Sequence, residues 1–413
     1  MLQTKDIIEQ FDISRQSLYT WIKTGQIEEP KRNWKGWLLW TEENIKEIAA
    51  LIESKQENKK ISTTKTLSIQ NRRYLGGKHK LLPFIEKVIQ DECGDWNSLI
   101  DIFAGTGVVG YHFNSSSKSI IVNDLLYSNY LAYLTWFGQE NVRKRKITQL
   151  INHFNENLSI HENYVSSTFG NTFFTMENAL KIGYAREKID ELQSELNERE
   201  KAILLTSLMY AMDKVANTCG HYDAYREKLD TTQTIKFLVP DIPTINTNKN
   251  NLIFNENANE LIKKISGDIL YIDPPYNSRQ YGDTYHVLEN IAEWKKPVVT
   301  GKAKKMIDRA HLKSDYCTIQ APSAFDELIV HADVKYIIVS FNNMAEKGNG
   351  RSNAKISDED IISSLEKRGE VKVFSQNFKH FTTGKRSIDD HQERLFFCKV
   401  NTAPILGGSF SWA

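Results

Sequence analysis

The apolar run DILYI at 268–272 is stopped by Asp273 and then by two consecutive prolines, Pro274 and Pro275, with Tyr276 behind them. Proline fixes φ and carries no N–H, so a strand predicted over 268–272 cannot continue through this point. The break drops a carboxylate just past a strand's carboxyl end, where ligands of open α/β sheets bind. A proline backbone offers carbonyl acceptors and few donors, and Tyr276 adds a flat apolar face. Acceptors beside a ring suit a planar base bearing an exocyclic amine. A carboxylate and a carbonyl each take one amine hydrogen, which turns the nitrogen lone pair outward as a nucleophile.

A second apolar run, SLIDIFAGTGVVG, ends on Asp101 and passes through Phe103 and Ala104 into Gly105, Gly107 and Gly110. Glycines at the end of a first strand let the turn tighten and let a ligand approach the backbone. The next predicted strand, SIIVND, ends at Asp124. An acid about 20 residues after such a turn suits the two hydroxyls of a ribose. Strands and helices alternate from about residue 74 onward, which predicts a Rossmann-like α/β sheet.

Composition narrows the alternatives. With 53 basic against 52 acidic side chains the formal charge is +1, so a polyanion site must be local. The four cysteines lie far apart and form no metal-binding spacing, which leaves no disulfide framework or zinc site to expect. No apolar run approaches the roughly 20 residues of a membrane helix, and nothing resembles a signal peptide. A soluble, cytoplasmic protein without membrane or metal partners is expected.

Residues 1–54 form a pattern of their own. Thr4 and Ser14 are placed to cap two short helices, Gly25 to end the second, PKRNWKGWLLW alternates around Gly36, and Thr41 opens a third helix. Ser14, Arg15, Ser17, Leu18, Tyr19, Trp21, Gly25 and Arg32 together resemble the winged helix-turn-helix of MerR-type regulators. That resemblance implies DNA contacts from Arg15, Gln16 and Tyr19 on the recognition helix and from Arg32 in the wing. A small helical cap or protein-binding module fits the same pattern, because acids are as common here as bases. Residues 55–70, polar and rich in lysine and arginine, read as a basic linker.

The stretch 136–250 reads as a helical insertion, and ANTCGHYDAYREK at its end as a surface loop able to reach DNA. RKRK at 143–146 and KAKKMIDR at 302–309 are the strongest basic runs and are candidates for phosphate contacts. Lone histidines such as His221 and His286 are expected to be structural or to touch substrate.

YLGGKHKLLPFI at 74–85, then DIFAGTG, then a long insertion, then DPPY, followed by VLENIA, YIIVSFNN and NFKHF, resembles the α-class, Dam-like DNA N6-adenine methyltransferases over residues 71 to about 400. The resemblance implies a Rossmann-like catalytic domain over 71–135 and 251–413, with 136–250 as target-recognition insertion. It also implies S-adenosylmethionine as cofactor, base flipping of an adenine in double-stranded DNA, and a restriction-modification setting with a cognate restriction endonuclease.

On that resemblance Tyr74, Gly77 and Lys78 hold the methionine end of the cofactor beside Asp101, Phe103, Ala104, Gly105 and Gly107. Asp124 holds the ribose, and Asn257 with Ala258 stands where the family usually has an acid near the cofactor's adenine. Asp273, Pro274, Pro275 and Tyr276 form the catalytic set, with Asp273 also at the cofactor. Asn217, His221, Tyr222, Arg279, Lys379 and His380 are the expected DNA contacts. N4-cytosine methylation and an RNA base are alternatives within the enzyme class. A DNA-binding regulator with a non-catalytic methyltransferase domain is the alternative outside it.

Overall fold

The computed structural model describes residues 4–11, 13–23, 26–33, 36–51, 66–156, 161–224, 226–230, 233–275, 278–342, 355–377 and 392–401. The chain divides into two compact units, Met1–Lys65 and Thr66–Ala413.

In the first unit, helices Thr4–Phe11 and Arg15–Lys23 are followed by a bridge between Arg32 and Leu38 and by helical residues 42–51. Two of the three predicted caps form: the Ser14 hydroxyl accepts from the Ser17 N–H at 3.0 Å, and Thr41 and Asn44 cap one another, whereas Thr4 is the first residue of its helix and its hydroxyl accepts from the Trp40 indole N–H at 3.2 Å. Ile7, Leu18, Trp21, Leu38, Trp40 and Ile48 close a small core. Arg15, Gln16 and Tyr19 lie exposed on the second helix. Arg32 is exposed too, but it is paired with Glu29 at 2.8 Å. Gly25 lies outside the described residues.

The second unit holds strands β1 (Ser98–Asp101), β2 (Ser119–Asn123), β3 (Leu252–Phe254) and β4 (Ser266–Ile272). A two-stranded hairpin of β5 (Val299–Thr300) and β6 (Lys305–Met306) precedes β7 (Asp333–Asn342), β8 (Gly369–Asn377) and β9 (Gln392–Val400). Among the described residues the main sheet has seven strands in the order β3-β2-β1-β4-β7-β9-β8. It is parallel from β3 to β7, and β9 then runs antiparallel between β7 and β8.

Strand alternation builds the two buried faces. Leu99, Ile120, Val122, Ile269 and Tyr271 pack with Ile85 and Val88 of helix Leu82–Glu92 on one side. Ile100, Ile121, Leu270 and Ile272 pack with Leu261, Phe325 and Leu328 on the other. After β1 the chain adds strands to one side, and from β4 it adds them to the other. The switch therefore falls between β1 and β4, where a crevice opens in sheets of this kind.

Residues 136–250 hold helices Lys144–Asn155, Tyr164–Phe169, Met176–Glu191 and Glu198–Val215. They share their apolar cluster with Val287, Leu288 and Ile291 of helix His286–Glu293, behind the proline pair. The expected linker is shorter than its sequence indicates. Residues 55–65 lie outside the described residues, whereas Leu67 and Ile69 are buried and the Leu67 N–H donates to the Val239 carbonyl at 2.9 Å. The Leu67 carbonyl accepts from the Asp241 N–H at 2.8 Å and the Ile69 carbonyl from the Tyr210 hydroxyl at 2.9 Å, so hydrogen bonds and apolar burial together dock that end.

Candidate active site

The first glycine turn is set by its backbone. Gly105 and Gly107 have φ of +54° and +77°, a region open to glycine at low cost, and Gly107 stands at the start of helix Val108–Phe113. The Gly107 N–H donates to the Ala104 carbonyl at 2.7 Å. The Gly105 N–H donates to Asp124 Oδ2 at 3.0 Å, and Asp124 Oδ1 accepts from the Leu126 N–H at 2.9 Å. A Cβ on Gly105 would meet the Tyr74 ring at 3.1 Å, so ring and turn close on each other.

One cleft at the switch point is lined by Tyr74, Gly77, Lys78, Asp101, Phe103, Ala104, Gly105, Asp124, Asn257, Ala258, Asp273, Pro274 and Pro275. Gly107 lies behind this lining and shapes the turn. Tyr276 lies outside the described residues. Asn257 uses its side-chain oxygen to cap the short helix Ala258–Ile262, accepting from the Asn259 N–H at 2.9 Å.

Three carboxylates of this cleft are all raised, each chiefly by burial. Burial pushes Asp101 up to about 8, and the neighbouring Asp273 and Asp124 add to the shift while the Gly110 N–H opposes it. Burial likewise raises Asp124, against the N–H groups it accepts from. Asp273 is raised to about 6 by burial, against the pull of Lys78, whose Nζ lies 2.9 Å from Asp273 Oδ1. Asp101 Oδ1 is buried without a hydrogen-bond partner among the described residues. A pocket with a surplus of buried carboxylates and one such orphaned oxygen fits a ligand carrying positive charge. The donor set thus suits a compound with a sulfonium and an ammonium group.

The Lys78–Asp273 pair was not legible in the sequence, because nothing in either motif specifies the other. The same holds for a layer behind the cleft. Tyr74 stacks on Tyr285 with centroids 4.7 Å apart, and the Tyr285 hydroxyl accepts from the Leu75 N–H at 2.7 Å. Buried Arg72 lies over both rings, donates to Ser128 Oγ at 3.1 Å and to Asn129, and sits 3.8 Å from Asp213 of the insertion. Buried Glu289 accepts from the Tyr127 and Ser128 N–H groups at 2.9 and 3.0 Å.

The expected DNA contacts separate into three groups. His221 and Arg279 come together, with Nε2 and Nη1 2.9 Å apart, and Arg279 is exposed. Asn217 and Tyr222 do not face solvent, which corrects the expectation of a surface loop at these two positions. The Asn217 amide donates to the Thr172 and Arg226 carbonyls at 3.1 and 2.9 Å, and the Tyr222 hydroxyl donates to Asp213 Oδ1 at 3.0 Å. Both side chains close the loop on itself and on the insertion. Lys379 and His380 lie outside the described residues. Among the described residues no cluster of potential metal ligands occurs, and no helix is long and apolar enough to cross a membrane.

The sequence profile of the D12 class of N6 adenine-specific DNA methyltransferases matches residues 74–350. The chain is 31% identical to the type II methyltransferase M.NlaIII of Neisseria lactamica, over 78% of this chain and 96% of that protein. It is 33% identical to the modification methylase StsI of Streptococcus sanguinis, over 71% of this chain and 46% of the relative. With the type II methyltransferase M.FokI of Planomicrobium okeanokoites it shares 30%, over 80% of this chain and 53% of the relative. The chain thus spans about half the length of the last two.

The charge state of Asp101 has a measurable consequence. Its folded carboxyl is raised to about 8, so its favourable contribution is full below the unfolded value near 4 and is lost as pH rises through about 8. Asp101→Asn keeps an acceptor for the Gly110 N–H and removes the charge. Without added ligand, the variant should match or trail the wild type at about pH 4 and gain on it steadily toward about pH 9. Urea denaturation across that range checks this, and parallel profiles would remove the buried charge from the account.

Proposed function

The chain belongs to the D12 class of N6 adenine-specific DNA methyltransferases, and on that premise we propose that it transfers a methyl group from S-adenosylmethionine to the N6 amine of adenine in duplex DNA. The setting we infer is a restriction-modification system, with this chain as its modification enzyme acting opposite a cognate endonuclease. The observation that carries the reading is Asp273, held by Lys78 just past β4, in one cleft with Asp101, Asp124 and the glycine turn.

When bound, S-adenosylmethionine supplies a methyl group already activated on a sulfonium. The protein's task is alignment. Asp101, with its partnerless oxygen, and Tyr74, Gly77 and Lys78 receive the methionine end, against the backbone of Phe103, Ala104 and Gly105. Asp124 keeps lone pairs for the ribose diol while two backbone N–H groups fix its orientation. The Asn257 amide and Ala258 border the cofactor's adenine.

Ionised Asp273 and the Pro274 carbonyl each accept one hydrogen of the substrate amine, and Tyr276 gives the extruded base a stacking partner. Lys78 holds Asp273 in its ionised form against the burial that raises it. His221 and Arg279 are the DNA contacts nearest this loop, and Lys379 and His380 join them on the family resemblance. We assign the Met1–Lys65 unit as a winged helix-turn-helix that adds DNA affinity through Arg15, Gln16, Tyr19 and Arg32, with target choice resting in the insertion.

Asp273→Ala should lower the single-turnover methylation rate on the order of 10²- to 10⁴-fold. S-adenosylmethionine binding should be largely retained, because the carboxylate orients the amine. Calorimetry and rapid quench read the two separately. In the wild type the rate should rise with pH through about 6, as Asp273 loses its proton and becomes an acceptor. Near-normal turnover by the variant would sink the assignment.

A chain beginning at Thr66, where the second unit starts, should methylate the same sequence as the full chain. Its DNA binding should be weaker and less dependent on salt. Sequencing of methylated adenines and titrations at several salt concentrations check this. A changed motif would move target choice into the first unit.

A further inference from the structure

The two basic runs of the sequence have different fates. At 143–146, Arg143 Nε donates to buried Glu200 at 2.9 Å and Lys146 pairs with Glu195 at 2.9 Å. Those two pairs fasten the start of helix Lys144–Asn155 to the turn Gln193–Glu195 and the start of helix Glu198–Val215, while Lys144 and Arg145 stay exposed. The run at 302–309 forms the turn and outgoing arm of the β5–β6 hairpin. Two strands of two residues each cannot hold a hairpin in water, so other contacts must fix it.

Buried His286 is one of them. Its Nε2 lies 2.6 Å from the Ala303 carbonyl in the turn, and its Nδ1 lies 2.8 Å from the Asp283 carbonyl. Lys305 reaches Asp223 at 2.7 Å and Asp283 at 3.7 Å, and Arg309 Nε donates to Asp283 at 2.5 Å. The hairpin is therefore locked to the short helix Tyr281–Thr284 and to the turn Tyr222–Ala224 that follows His221. The chain leaving β6 continues to Leu312 and Ser314 in the cleft wall.

These contacts spend the inner charges and leave the outer face different. Lys302 is 86% exposed, and its nearest carboxylate, Glu227, is 3.7 Å away and equally open to solvent, so that attraction is screened. Lys304 stands half-buried beside it, at a φ of +51°. Val298 and Ile307 flank the turn at 72% and 63% exposure. An anchored element with lysines at its tip and apolar flanks is complementary to a polyanion with apolar edges. Phosphates and deoxyribose rings combine both.

The geometry points to the β5–β6 hairpin as a rigid arm that grips the duplex backbone beside the target adenine, with Lys302 and Lys304 on phosphates and Val298 and Ile307 against sugars. This rests on the adenine-methyltransferase reading above. His286, Lys305 and Arg309 act as positioning residues that fix the arm relative to Asp273. Its contacts fall on phosphates and sugars, which position the duplex without reading its bases, so it contributes affinity and placement without changing the sequence recognised.

The test uses the full chain and a duplex fragment that the wild type methylates. Lys302→Glu with Lys304→Glu should weaken binding at least tenfold at low salt and lower the log–log salt slope by about 1 to 2. S-adenosylmethionine affinity should stay as in the wild type, which reports that the fold is intact. Lys302→Arg with Lys304→Arg should restore both affinity and slope. Unchanged affinity and slope in the glutamate variant would overturn the arm while leaving the enzyme reading intact. Unchanged DNA binding with an altered sedimentation coefficient would overturn it in favour of a contact between two copies. A wild-type chain that methylates no duplex would overturn the enzyme reading itself, and the arm with it.

Discussion

The parallel pairing of β1 with β4 is the constraint on which the rest depends. It joins segments some 170 residues apart in sequence, pairing Leu99 with Ile269, Ile100 with Leu270 and Asp101 with Tyr271. A slip of one residue would send every side chain to the opposite face. Asp268 guards against it by accepting from the Asn97 and Ser98 N–H groups at 2.7 and 3.0 Å while pairing with Lys335 on β7 at 2.6 Å. Three strands are pinned by one carboxylate at their amino ends, and Asp101 and Asp273 emerge together at their carboxyl ends. The cleft and its cluster of carboxylates follow from that register.

A second buried network ties the insertion to the same cleft. Asp213, on the long helix Glu198–Val215, is pushed up to about 6 by burial despite Arg72 and the hydroxyl of Tyr222. Arg72 in turn touches Ser128 and Asn129 beyond the Asp124 loop and covers the Tyr74–Tyr285 stack. A buried charge pair of this kind is costly to break, because a lone charge would be stranded away from water. Together with the apolar cluster it shares with helix His286–Glu293, it accounts for how the insertion is held beside the pocket that it is proposed to serve.

Much of the cleft was legible in the sequence because its residues are punctuation. Asp101, Gly105, Asp124, Asp273 and the prolines stand where strands stop, and strand ends can be read from apolar runs followed by breakers. Lys78 was legible as a member of a motif, but its pairing with Asp273 was not, since long-range contacts leave no local pattern. The loop at 217–224 misled for a physical reason. Polar and aromatic residues without periodicity suggest a surface, yet Asn217 can bury its amide when it satisfies backbone carbonyls, and Tyr222 when it donates to Asp213. Charge runs were equally ambiguous: in RKRK, among the described residues, only Arg143 and Lys146 meet acids, Glu200 and Glu195, and KAKKMIDR divides between anchoring and exposed lysines.

The central claim is that this carboxylate-lined cleft methylates the exocyclic amine of adenine in duplex DNA. The most direct measurement incubates the purified chain with duplex DNA and S-adenosylmethionine labelled in its methyl group, digests the product to nucleosides and identifies the labelled one by mass spectrometry. The account predicts label in N6-methyldeoxyadenosine. Label in N4-methyldeoxycytidine, or in no nucleoside of a duplex that offers all short sequences, would contradict it.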